Sequence, residues 1–445
     1  MPDYPTPPDQ TGRRGYDQRR YYDLQPEREW ARLERHRTEF AVTMRALAEH
    51  LPSPPARVLD CGGGPGRYAI ELARQGYEVT LFDLSSPCLR LAEAKAAEAG
   101  VALAGYEQGT ATDLARFPAE NFDAVLLLGP LYHLLEEEER RRALAEARRV
   151  LTPGGLIFAA FISRYSMLRY AATYVPTWPL EHAARLERLL TCGVLPPAGS
   201  DAPEFVAYCA HPAEVGPLCQ AAGFELRTVL GVEGLVSMIE TGVNAFSGQE
   251  WETWVDLNYR AASDPTTHGC VEHLLAIAAK PRWRTVLRQV VSRLDAAGLV
   301  YKVVGGASAA LNGVPIPVKD LDLETSAEDA YRFQALFADH AIQPVALSES
   351  EVYRSHFGRF DFGGVIVEVM GDLYRRDGEG WLPATAITQT VIPGVDPDSG
   401  DDRPVCASWL EEETLAYIRR GRLERAAQCL PYCRHDRLLA LLRKR

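Results

Sequence analysis

Nowhere does the chain carry an apolar run long enough to cross a bilayer. Its longest, "GGLIFAAFI", falls far short of the roughly 20 residues a spanning helix needs. "MPDYPTPPDQTGRRGYDQRRYYD" at the start lacks the apolar core of a signal peptide, so a cytoplasmic protein with no membrane partner is expected. A cysteine framework is missing too. Nine cysteines, an odd number, are scattered along the chain, which fits reduced thiols. The one tight group, Cys429, Cys433 and His435 in "CLPYCRH", has no evident fourth ligand and reads as core cysteines rather than a zinc site. A net positive balance is also lacking. A net charge of -12, without a dense Lys/Arg stripe, argues against general binding to nucleic acid. No internal repeat is present.

What remains is ordinary for a core-forming globular chain: 47% hydrophobic and 24% charged over 445 residues, a length suited to two or three domains. Residues 1–20 are rich in Pro, Arg and Tyr and read as a mobile arm. "PEREWARLERHRTEFAVTMRALAEHL" has the apolar spacing of a helix. From "ARVLDCG" onward, strand and helix alternate: "GRYAIELARQG" as a helix closed by Gly76, "EVTLFDLS" as a strand, then a helix, "FDAVLLLG", the charged helix "EEEERRRALAEARRVL" and the buried strand "GGLIFAAFI". Such alternation predicts an α/β fold with a doubly wound, mostly parallel sheet, its ligands beyond the strands' carboxyl ends. "AKPRW" marks the expected boundary near residue 282. A smaller α+β domain is expected over 283–445, opening with the helix "WRTVLRQVVSRLDAAGL".

"VLDCGGGPGRYA" places Gly62, Gly64 and Gly66 in alternation after a strand ending at Asp60. Glycines there permit positive φ and close approach to a ligand, but a dinucleotide site would use them equally. The neighbours narrow the choice. Asp83 ends the next strand, where a carboxylate can accept from two ribose hydroxyls. Asp113, in "TATDLARFP", follows the third strand, within reach of an adenine amino group. This ordered set resembles class I S-adenosylmethionine-dependent methyltransferases, and "LLLGPLYHLLEEEERRRALAEARRVLTPGGLIFAAFISRYS" is very similar to one small-molecule branch of them, over residues 16 to 280. The resemblance implies that Asp60, Gly62, Gly64 and Gly66 border the methionine part of the cofactor. It further implies Asp83 at the ribose, Thr112 and Asp113 at the adenine edge, and Gly129 and Leu131 alongside. His133 is either a base or acceptor contact, or a packing residue. Tyr21 and Tyr22 either form a lid or pack on the surface. The Asn/Asp-Pro-Pro-aromatic signature of base amino methyltransferases is absent, with "GPLY" in its place, and Pro87-Cys88 reads as a helix start. A small-molecule acceptor is therefore expected.

A second glycine turn occurs in "YKVVGGASAALNGVPIPVKDLDLET". Strand alternation puts Asp320 and Asp322 on one face, where two carboxylates repel unless a divalent cation lies between them. Glu368 lies within the apolar strand "FGGVIVEVMGDL" and needs a partner, either that metal or an arginine such as Arg359. Glycine pair, Asp-x-Asp and a later strand acid resemble the nucleotidyltransferase superfamily of the polymerase β type, over residues 283 to 430. The resemblance implies Gly305, Gly306 and Ser308 at the triphosphate of a nucleoside triphosphate, with Asp320, Asp322 and Glu368 as Mg²⁺ ligands and catalytic acids. Asp is more usual at the third place, so Asp372 stands as a substitute. The closing "SWLEEETLAYIRRGRLERAAQCL" reads as a solvated packing helix. Together these features describe a bifunctional chain. Two alternatives stay open: modification of RNA such as tRNA, or an antitoxin-like second domain that binds nucleotide and acts on a protein partner.

Overall fold

The computed structural model describes residues 18–197, 205–377, 380–383, 391–392 and 404–443, so most of the expected N-terminal arm lies outside the described residues. Two compact units divide at Lys280 and Pro281. Among the described residues, no helix is long and apolar enough to cross a membrane.

The first unit is built on a nine-stranded sheet. Its strands are β1 (Arg57–Cys61), β2 (Glu78–Asp83), β3 (Gly105–Gln108), β4 (Phe122–Leu127), β5 (Leu151–Ser163), β6 (Val194–Leu195), β7 (Ala207–Ala210), β8 (Glu225–Gly231) and β9 (His273–Ala279). Strands run in the order β3-β2-β1-β4-β5, all parallel. β9 then adds antiparallel to β5, and β8 antiparallel to β9. Near-continuous burial of β1, β2 and β4 follows from helices covering both faces, which is why these strands read as unbroken apolar runs. Alternate residues serve opposite faces. Val58 and Leu81 pack in one core layer, Leu59 and Phe82 in the other. Chain order reverses between β2 and β4, on either side of β1, and opens a crevice at the strands' carboxyl ends.

Local signals behave as their chemistry requires. Gly76 follows the helix Arg67–Arg74 at φ +90°. Pro87 sits in the first turn of Ser86–Glu98, whose cap Ser85 accepts a hydrogen bond from the Cys88 amide at 3.3 Å. One expectation fails: the helical pattern over residues 26–50 forms two helices, Pro26–Arg35 and Arg37–His50, broken at His36.

The second unit opens with the helix Arg282–Ala296. It centres on a six-stranded mixed sheet of β10 (Tyr301–Val304), β11 (Asp320–Thr325), β12 (Ala341–Glu349), β13 (Tyr353–Asp361), β14 (Ile366–Asp377) and β15 (Gly380–Pro383). The order is β10-β11-β14-β13-β12, with β15 on β14. β11 and β14 are parallel, in a register that sets Asp322 beside Glu368. Leu321 and Leu323 point into the core, which turns Asp320 and Asp322 to the other face. Three helices, Leu410–Arg419, Leu423–Cys429 and His435–Arg443, close the described chain.

Candidate functional sites

In the first unit, β1 runs into a glycine turn over the crevice. Gly62, at φ +75°, donates its N–H to the Phe82 carbonyl at 2.6 Å, and a Cβ there would stand 2.4 Å from Pro130 Cγ. Only glycine fits both the torsion and the contact. The turn lines a cavity with Asp60, Gly64, Asp83, Gly109, Thr110, Gly129, Tyr22 and His133.

Asp83 accepts from the Gly64 amide through Oδ2 and from the Ser85 amide through Oδ1, both at 2.8 Å. Burial nonetheless raises its pKa to about 6, with those amides opposing the shift. Asp60 is 1% exposed, and neither of its carboxyl oxygens has a hydrogen-bond partner of normal geometry. Burial and then the Asp83 charge push its pKa to about 7, partly offset by the Ala69 amide. Two buried carboxyls at the turn suit a cationic ligand group and oppose a pyrophosphate, which separates this glycine loop from a dinucleotide site.

His133 is buried in the cavity wall, its Nε2 2.5 Å from the Tyr22 hydroxyl. Burial lowers its pKa to about 4, while the Val206 backbone opposes the shift, so that backbone faces the ring N–H. Burial thus favours the neutral ring, which shares a hydrogen bond with the Tyr22 hydroxyl. Tyr22 belongs to the short helix Gln18–Asp23 and is part of the wall, while Tyr21 packs edge-on against it.

Several expected contacts fall elsewhere. Leu131 is fully buried in the core, and Gly66 caps the helix behind the turn. Thr112 bonds the Thr110 hydroxyl at 3.0 Å, and Asp113 accepts from the Ala115 amide at 3.1 Å. Neither lines the cavity, whose edge here is Gly109, Thr110 and Ala111.

The second unit gathers Asp320, Asp322 and Glu368, each offering an oxygen within 4.8 Å of the others. Asp322 is pushed to about 7 by burial, then by Asp320 and Glu368. A carboxyl cluster held this close fits a divalent cation by its donor chemistry. Gly305, at φ +70°, brings the turn so near that a Cβ would lie 2.4 Å from Asp322 Oδ2. Glu368 also carries the arginine partner: Arg359 Nε stands 3.0 Å away.

Ser308, expected at the triphosphate, is instead buried, and its hydroxyl donates to the Ser408 carbonyl at 3.0 Å. A hydroxyl one turn into an apolar helix meets a backbone acceptor before it meets solvent. Asp372 is exposed, at φ +47°, and is not in the acidic cluster. Cys429 is buried, and Cys433 lies within hydrogen-bond reach of the Thr414 hydroxyl, as core thiols do.

Residues that sequence reasoning passed over complete this site. Lys319, Arg420, Arg422 and Arg425 line a pocket with Gly305, Gly306, Asp320 and Asp322. Arg425 Nη1 would be 3.2 Å from a Cβ on Gly306. Glu413, buried and raised to about 7 by that burial, is opposed by the Gly305 amide it accepts from and so braces the turn. The region read as a solvated packing helix is therefore a wall of the site. "RRGRLER" was the available signal, four arginines within seven residues.

Fold and site define the class, a methyltransferase unit followed by a nucleotidyltransferase-like unit. Residues 58–155 match the family model for the methyltransferase domain, and residues 286–397 match that for aminoglycoside-2''-adenylyltransferase. The chain is 30% identical over 191 residues to a ubiquinone biosynthesis O-methyltransferase of Xanthomonas axonopodis pv. citri, covering 43% of this chain and 72% of that one. A protein of the same name from Caulobacter sp. is 34% identical over 131 residues, 28% of this chain and 50% of that one. Among solved structures, a Thermotoga maritima protein designated a nucleotidyltransferase is 31% identical and covers 37% of this chain and 96% of that one, at a TM-score of 0.29. A SAM-dependent methyltransferase of Methanosarcina mazei is 22% identical over 53% of this chain and 97% of its own, at a TM-score of 0.37. The chain belongs to the methyltransferases, and its second unit is nucleotidyltransferase-like by its match to the adenylyltransferase model.

Proposed function

We propose that the first unit transfers a methyl group from S-adenosylmethionine to an oxygen of a small molecule. The observation that carries this is the buried carboxyl pair, Asp60 and Asp83, at a glycine turn where the strand order reverses. When bound, S-adenosylmethionine supplies a methyl already activated on a sulfonium. Asp60 offers its unpaired oxygens to the ligand's positive charge. Asp83 keeps lone pairs for the ribose hydroxyls beyond those given to Gly64 and Ser85. Gly62, Gly64 and Gly129 let the backbone lie against the ligand, and Gly109 and Thr110 border the base. Neutral His133, once Tyr22 gives up that place, would take the acceptor hydroxyl's proton as its oxygen bonds the methyl carbon and the carbon–sulfur bond of the donor breaks, and the helix of Tyr22 would limit water at the transfer. Oxygen as the acceptor atom draws support from the O-methyltransferases matched above.

The second unit, in this proposal, moves a nucleotidyl group from a nucleoside triphosphate to a hydroxyl of a small molecule: the hydroxyl oxygen bonds the α-phosphorus, the α–β phosphoanhydride bond breaks, and pyrophosphate leaves. What supports it is an acidic triad and a basic wall sharing the glycine turn. Asp320, Asp322 and Glu368 would hold Mg²⁺, which when bound neutralises phosphate charge during the displacement. Arg420, Arg422, Arg425 and Lys319 take the triphosphate, with Gly305 and Gly306 allowing its close approach. Glu368, once released from Arg359, would take the proton of the attacking hydroxyl. The match to an aminoglycoside adenylyltransferase model supports an amino sugar as the hydroxyl bearer.

The test is transfer of label from methyl-labelled S-adenosylmethionine and from α-labelled nucleotides to panels of phenols and amino sugars. Label should reach members of both panels, with Asp322→Asn blocking nucleotide transfer alone. Label on RNA, or on a co-purified protein, would overturn the small-molecule reading.

A further inference from the structure

The helix pattern of residues 26–50 breaks at His36 (φ -106°, ψ 56°), where there is neither proline nor glycine. At the break, the imidazole faces two carboxylates from distant parts of the first unit. Its Nδ1 lies 3.4 Å from Glu240 Oε1 and 4.0 Å from Glu272 Oε2. One ligand atom from each of the three lies within 4.8 Å of the others. His36 Nδ1 and Glu240 Oε1 form a hydrogen bond at its long limit, well beyond the roughly 2.7–2.9 Å of a tight charge-assisted one, and Glu272 Oε2 stands outside hydrogen-bond distance. Bonds of about 2.0–2.2 Å to a tetrahedral zinc would set neighbouring ligand atoms roughly 3.3–3.6 Å apart.

The surrounding charges are already committed. Arg32 binds Glu39 through two nitrogens, at 2.7 and 2.9 Å. Glu233 Oε1 lies 2.6 Å from His273 Nδ1, and its Oε2 accepts the amides of Glu272 and His273 at 3.1 and 2.9 Å. The adjoining trio of Glu39, Glu233 and His273 is thus satisfied within the protein. Glu240 is not. It is 7% exposed, and its Oε2 is buried with no hydrogen-bond partner. A buried carboxylate oxygen without a partner costs stability unless something cationic meets it. The side chains of His36 and Glu272 keep 31% and 18% of their surface, an entry path with room for water ligands.

We propose that His36, Glu240 and Glu272 bind a divalent first-row transition-metal cation, zinc being the best match, with water completing its shell. One imidazole with two carboxylates suits zinc, whereas magnesium prefers an all-oxygen shell. The cation pins the break beside the helix Pro26–Arg35, whose Glu29 and Arg32 line the methyltransferase cavity, to the Glu240 segment and the start of β9.

The test uses the full chain carrying Asp320→Asn and Asp322→Asn, which silences the other carboxylate cluster, stripped with a chelator and titrated with cobalt(II). One equivalent should bind with a visible ligand-field band and be displaced by zinc. Glu240→Gln keeps the side chain's shape, and His36→Gln changes a half-buried position; each should weaken binding more than about tenfold. Circular dichroism and thermal melts in chelator verify that both variants are folded. Absence of cobalt uptake at stoichiometric concentrations, or wild-type binding by both variants, overturns the proposal.

Discussion

Each unit places a positive-φ glycine turn after a strand and sets a carboxylate against it, yet the two sites are electrostatic opposites. In the first, Asp60 and Asp83 stand at the turn itself, opposed there by backbone amides, while Arg19, Arg32 and Arg67 also line the cavity. In the second, three carboxylates converge while Lys319 and three arginines form the pocket wall. The first suits a ligand that carries positive charge, the second an anion that arrives with a cation. A glycine loop therefore says where backbone comes close to a ligand. The charges around it say which ligand.

That contrast can be broken one side at a time. The largest effect should come from Asp322→Asn, which removes one of the three carboxylates proposed to hold the cation. Nucleotide transfer should fall by about a thousandfold or more while methyl transfer is kept, as steady-state rates of both reactions would reveal. Loss of both activities would mean that the sites are not independent. Next in size is Gly305→Ala, which sets a Cβ against Asp322 Oδ2 in a backbone conformation that disfavours it. The second unit should lose about 1–3 kcal/mol in denaturant melts, with the first unit's transition unmoved.

Arg425→Ala and Arg420→Ala sharpen the comparison. Each should raise KM for the nucleotide about tenfold, the weight of one hydrogen bond to a charged group, with kcat less affected. The smallest effect is a pH dependence. Asp322, raised from its ordinary value to about 7, favours the protonated folded state. The stability this gives the metal-free unit is full in acid and is lost as pH rises through 7. Mg²⁺ must displace that proton, so its affinity should rise between pH 6 and about 8, which calorimetry in buffers of different ionisation heat would detect as proton release.

Much of this architecture was legible because strand ends are legible. Asp60, Asp83 and Gly129 close apolar runs, and parallel pairing brings those ends to one crevice. Asp320 and Asp322 were legible from strand alternation, and the Glu368 register follows from β11 and β14 lying parallel. The basic wall was not. Arg420 and Arg425 lie about a hundred residues from the turn they face, and amphipathic charge on a helix looks the same whether water or a ligand covers it. Ser308 misled because a hydroxyl beside a glycine turn can serve a buried carbonyl as readily as a phosphate. Thr112 and Asp113 lie a residue or two beyond Gly109–Ala111, the stretch of this loop that lines the cavity, and Asp113 accepts from the Ala115 amide. The break at His36 leaves no mark in helix propensity, because its partners come from 240 and 272.

The most direct measurement is a calorimetric titration of the full chain, its Asp83→Asn variant and its Asp322→Asn variant, each with S-adenosylmethionine and with a nucleoside triphosphate plus Mg²⁺. Wild type should bind one of each. Asp83→Asn should lose about ten- to a hundredfold in affinity for S-adenosylmethionine alone, and Asp322→Asn should lose the Mg²⁺-dependent nucleotide alone. A nucleotide that binds equally well in Asp322→Asn, or one substitution that weakens both ligands, would contradict an account of two separate chemistries on two glycine turns.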